Sequence, residues 1–123
     1  MKKLLAAAVM SMGLVSLTHA AAMPKGDATA GEAKAAACAA CHGAGGVSMV
    51  PVNPSLAGQR AKYIYKQLHD FKSGRRGNPI MMGMAMPLAD QDMADLAAYF
   101  SAQQAVVGKA KPELAKLGEK IFR

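Results

Sequence analysis

Two cysteines three residues apart, followed at once by a histidine, are the residues of this 123-residue chain best suited to chemistry: Cys38-Ala39-Ala40-Cys41-His42. On a helix, residues three apart share a face. Both sulfurs can then reach two vinyl-derived carbons along one edge of a porphyrin and become thioethers, and His42 can bring an imidazole nitrogen under the iron as an axial ligand. C-x-x-C-H is the pattern of covalent c-type haem attachment, so the predicted cofactor is one haem c, with its iron, per chain.

Rival uses of the same residues explain less. A thioredoxin-like redox pair wants a βαβ context, and nothing here alternates with period two for long enough to make a strand. Structural zinc needs four ligands, and beyond the first twenty residues only Cys38, Cys41, His42 and His69 offer the thiolate or imidazole donors it takes. A disulfide accounts for the cysteines but leaves His42 and a methionine cluster as coincidences. That cluster, Met81, Met82, Met84 and Met86, lies some forty residues after the attachment site. A thioether as sixth ligand raises the reduction potential relative to two imidazoles. His69, the only histidine rival for that position, reads as a solvent-facing helical residue.

Three helices are predicted to carry these groups. Residues 27–41 are alanine-rich, with Asp27 placed to cap the first turn. From Gln59 to Lys72, Ala61, Ile64, Leu68 and Phe71 recur at spacings of three and four, as do Met93, Leu96, Ala97 and Phe100 between Asp90 and Gln103. Glycines and prolines between His42 and Leu56 describe a loop wrapped around something, and Ser73 to Pro79 breaks the second helix. Residues 80–87 are expected to be irregular and to fold over the open face of the haem. The class is all-α. Hydrophobic residues make up 52% of the chain, much of it alanine, with no tryptophan and three each of Tyr and Phe. A flat apolar cofactor would complete so thin a core.

The amino terminus reads as an export signal over 1–22: Lys2 and Lys3, an apolar run from Leu4 to Leu17, then small residues. Removal would lower the formal net charge from +7 to +5 and place the protein in the periplasm, with association at a membrane surface open. Lysines 62, 66, 72, 109, 111, 116 and 120 are too dispersed, and too free of interleaved aromatics, for a nucleic-acid site. They suit steering towards redox partners with acidic docking surfaces, or towards anionic membrane surfaces.

The segments CAACHG (38–43), NPSLAGQ (53–59), YIYKQLHDFKSGRRGNP (63–79) and MMGMAMPLADQDMADLAAYFSAQ (81–103), in that order, resemble the class I cytochromes c, and more closely the cytochrome c4 type. The resemblance implies that fold, packed around one covalent haem, over residues 23–104. It implies Met81, seven residues before Leu88, as axial ligand, with Met84 second. It also implies that the carbonyl of Pro54 accepts the His42 ring N–H, which would fix the tautomer and strengthen the imidazole as a donor. Gly31 would let the terminal helices cross closely against Leu96, Tyr99 and Phe100. The family's serine before Asp-Gln-Asp is Ala89 here, so Asp90 or Asp92 must cap the last helix.

The family is typically di-haem. AGEAKA at 30–35 and LGEKIF at 117–122 both place Gly-Glu in what looks like the opening helix of a domain. The expectation is a linker from Ala105 to Pro112 within a segment, 105–123, that begins a second, truncated haem domain. Tyr63, Arg75 and Arg76 are candidate donors to the haem propionates, with solvated surface arginines as the plain alternative. The function implied is shuttling of single electrons between a quinol-oxidising complex and a terminal oxidase or reductase, with no small-molecule substrate. The rival is a haem enzyme, or a small-molecule-binding haem protein, with a labile sixth ligand; no distal acid-base pair is visible for it.

Overall fold

The computed structural model describes residues 22–108 and 110–122, so all but the last residue of the expected export signal lies outside the described residues. Helices follow in the order α1 (Ala28–His42), a short 3-10 turn (Ala44–Gly46), α2 (Ala61–Lys72), α3 (Pro79–Ala85), α4 (Asp90–Ala102) and α5 (Pro112–Phe122), with no strand among the described residues.

Asp27 starts α1 as its residue type suggests, its side chain accepting from the N–H groups of Thr29 and Ala30. At α4 the missing hydroxyl of Ala89 is answered from inside the helix: Asp92 Oδ2 accepts the Ala89 N–H at 2.8 Å. The stretch expected to be irregular contains a helix instead. Asn78 Oδ1 accepts the Met81 N–H at 3.0 Å and Pro79 stands in the first turn, where its missing N–H costs nothing. Methionine is a good helix former. Gly83 does not stop this short element.

The core lies where α1 and α2 pack on α4: Ala35, Ile64, Leu96, Ala97 and Phe100 form one buried cluster. Gly31 sets the α1–α4 crossing. A Cβ there would stand 2.1 Å from the Asp95 carbonyl oxygen and 2.8 Å from Tyr99 Cβ, so Tyr99 is met as expected and the nearest atom is the backbone carbonyl of Asp95. Beside the crossing, Lys34 bridges Asp92 at 2.8 Å and Asp95 at 2.5 Å. Asp95 is buried and also accepts from the Asp27 N–H and from Gln91, so its carboxyl is held down at about 2, chiefly by the Lys34 ammonium.

Among the buried hydrophobic residues of the described chain only Met93, Leu96, Ile64, Phe71 and Phe100 are larger than alanine. Around the cluster, Cys38, Leu56, Tyr65, Leu68 and Leu88 are half-buried, leaving apolar surface that protein alone does not cover.

Candidate haem site

The last turn of α1 carries the three attachment residues. Cys38 is half-buried against the core cluster and burial pushes its thiol up; Cys41 is exposed, and the two are unpaired. His42 ends the helix. Gly43, at φ 79°, closes it by donating its N–H to the Ala39 carbonyl at 2.9 Å, a left-handed conformation that glycine adopts without strain.

His42 is 7% exposed, and its Nδ1 donates to the Pro54 carbonyl oxygen at 2.8 Å. With Nδ1 protonated and engaged, the lone pair available to a metal is that of Nε2. The carbonyl is held in turn by the loop around it. Asn53 Nδ2 donates to the Cys41 carbonyl at 2.8 Å, which ties the loop to the end of α1 and satisfies one of its open carbonyls. Gly46 O accepts from Leu56 and Ala57, and the Gly58 N–H donates to Phe100 O at 2.9 Å, so α4 supports the far side. The role of Asn53 was not foreseen; its position beside Pro54 is the signal that could have found it.

Met81 on α3 comes close to His42. Met81 is half-buried, whereas Met84 is 41% exposed. Tyr63 is 49% exposed on α2. Both candidate arginines are engaged by the protein: Arg75 Nε donates to Asp70 Oδ1 at 2.9 Å and its Nη2 lies 3.0 Å from His69 Nδ1, while Arg76 donates to Gln67 and stacks 4.6 Å above the Phe71 ring. His69 is half-buried beside Tyr65, and its contact with Arg75 lies at the surface.

The donor set fits haem c. Two unpaired thiols stand one turn apart, a buried imidazole offers only Nε2, a thioether comes close to it, and half-buried apolar side chains surround a small core. No group of three or more His, Cys, Asp or Glu suited to a metal ion occurs among the described residues, so the tetrahedral zinc alternative lacks its ligands.

The cytochrome c family matches over residues 28–104. Over all 123 residues the chain is 51% identical to cytochrome c4 of Pseudomonas aeruginosa, spanning 59% of that protein. It is 45% identical over 82 residues to cytochrome c-554(548) of Halomonas halodenitrificans, covering 64% of this chain and 99% of that one. Reduced recombinant cytochrome c4 from Pseudomonas stutzeri superposes with a TM-score of 0.72 at 51% identity, over 80% of this chain and 56% of that one. The chain thus spans about three fifths of the length of the cytochromes c4 that it matches. The ordered cysteines, the oriented histidine and these likenesses lead to one conclusion: the chain belongs to the cytochrome c family, is similar to the cytochromes c4, and has covalently bound haem c as its cofactor.

Proposed function

We propose that the protein is a periplasmic one-electron carrier whose iron is ligated by His42 and Met81. The observation that carries the reading is the 2.8 Å bond from His42 Nδ1 to Pro54 O on a buried ring, because it fixes the tautomer and orientation an axial imidazole needs. Bound haem c supplies an iron that alternates between ferric and ferrous by gaining or losing one electron. Cys38 and Cys41 would hold its edge, His42 would donate from Nε2, and a Met81 thioether would favour the ferrous form relative to a second imidazole. Ligation by both residues in both oxidation states would keep rearrangement small, which suits outer-sphere transfer. Tyr63, Arg75 and Arg76 are the proposed donors to the propionates, with Asp70 competing for Arg75.

Electrons would pass from a quinol-oxidising complex to a terminal oxidase or reductase, and the excess of basic residues would steer the protein to partners with acidic or membrane surfaces. No helix among the described residues is long and apolar enough to cross a membrane. Residues 105–123 are read as a linker and the opening of a second haem domain, supported by the Gly-Glu repeat and by the exposure of Leu114, Leu117, Ile121 and Phe122 on α5. Extending the reading frame to a second C-x-x-C-H tests that part.

The ligation is tested by spectroscopy of the purified holoprotein. A weak near-infrared sulfur-to-iron band in the ferric form, lost in Met81→Ala and kept in Met84→Ala, is expected, with no carbon monoxide binding by the ferrous parent. Ready carbon monoxide binding by the parent would favour the labile-ligand enzyme, and loss of the band in Met84→Ala alone would move the ligand to Met84.

A further inference from the structure

The segment bearing Met81 is fastened to α2 at both ends. At its entry the buried Asp70 carboxylate accepts from Lys66 and from Arg75 Nε, and the Asp70 carbonyl accepts the Arg76 N–H at 3.1 Å. Ser73 Oγ donates to the His69 carbonyl at 2.8 Å, so the turn lies back over the end of α2. At its exit the Lys72 ammonium donates to the Leu88 carbonyl, and the Leu88 N–H closes on Ala85 O at 3.1 Å. Between these fastenings runs α3, which buries only Ala85 and leaves Ile80 71% exposed. Its packing partner in the fold is α2. Hydrogen bonds and ion pairs to His69, Asp70 and Lys72 of α2 hold its two ends.

We propose that Asp70 and Lys72 are positioning residues for the Met81 thioether, holding its segment so that the sulfur stays on the iron against external ligands. This rests on the reading of Met81 as sixth ligand. Asp70 and Lys72 act through the backbone at 75–76 and 88, not on the metal. An external ligand can enter only when the thioether has left, so its apparent affinity is reduced by the small fraction of time the site is open. Weakening a fastening enlarges that fraction.

The test is imidazole titration of the ferric holoprotein, followed by loss of the near-infrared band, for the parent, Lys72→Met, Lys72→Arg, Asp70→Asn and Met81→Ala. Lys72→Met keeps the aliphatic stem and removes the donor. It should raise imidazole affinity about fivefold to tenfold, the worth of a partly exposed charged hydrogen bond. Lys72→Arg, which keeps a cationic donor, should stay within about twofold of the parent. Asp70→Asn should act in the direction of Lys72→Met; if it fails to fold, Lys72→Met decides. Parent-like imidazole affinity in Lys72→Met, alongside a lowered urea midpoint, would overturn the proposal and leave a merely structural role. A Met81→Ala protein that keeps the band would overturn the ligand reading instead, so the two failures are distinguishable.

Discussion

Replacing Gly31 by alanine sets two effects of opposite sign against each other. Helix propensity favours alanine over glycine by about 1 kcal/mol in a helix interior. Packing opposes it, because the new methyl carbon would stand 2.1 Å from the Asp95 carbonyl oxygen, 2.6 Å from its carbon and 2.8 Å from Tyr99 Cβ, where ordinary contact begins near 3.4 Å. The neighbours are helix backbone, so α1 and α4 must part by roughly 1 Å in an interior packed to crystal-like density. Overpacking of this kind costs about 3 kcal/mol at the upper end of its usual range, leaving a net loss of about 2 kcal/mol. Parting would also stretch the Lys34 bridges to Asp92 and Asp95. Gly83→Ala in α3 is the control, since a Cβ there meets nothing within 4 Å, and it should gain about 0.5–1 kcal/mol. Urea unfolding of the ferric holoprotein, followed by far-ultraviolet circular dichroism, reads both. Gly31→Ala should lower the midpoint by about 1 M, taking m near 2 kcal/mol per M. A Gly31→Ala midpoint equal to or above the parent's would refute the packing argument.

Asp95, Asp70 and Asp92 all have folded-state values below the ordinary carboxylate range, Asp95 at about 2 beside Lys34, Asp70 beside Lys66 and Arg75, and Asp92 beside Lys34. Their stabilisation is complete above the unfolded value near pH 4 and drains away as pH falls towards 2, so unfolding there should take up as many as three protons from these groups; a stability flat across that window would contradict the ion pairs. The double variant Cys38→Ala, Cys41→Ala should lose much of its helicity as apoprotein because the core is small, and a native circular dichroism spectrum would contradict that dependence. Reduction by an acidic physiological partner should slow between about 10 and 100 mM salt, as the screening length falls from ~30 to ~10 Å, and a flat rate would remove the steering argument.

The attachment site was legible because its chemistry is local. Cys38, Cys41 and His42 are consecutive on one helix end, so type and spacing alone specify it, and the Pro54 contact followed from the resemblance. The three long helices were legible from their apolar periodicity and from Asp27. The region around the methionines was not. Residues 80–87 were expected to be irregular chain, yet the Asn78 cap and Pro79 start a short helix that is joined to α2 through Asp70 and Lys72. Contacts of that sort join residues with no shared periodicity. The same reason hid the partners of Arg75 and Arg76: a guanidinium offers donors to any acceptor nearby, and Asp70 and Gln67 become near only once α2 has turned. Gly31 was expected to face side chains of α4, but at so close a crossing the nearest atom is a backbone carbonyl.

Intact mass of the purified protein, produced in a host able to attach haem and measured alongside a thiol titration, addresses the centre of the account most directly. The polypeptide plus one covalent haem for each C-x-x-C-H present, with no titratable thiol at Cys38 or Cys41, is the predicted result. The bare polypeptide mass, with both thiols free or joined as a cystine, would contradict it.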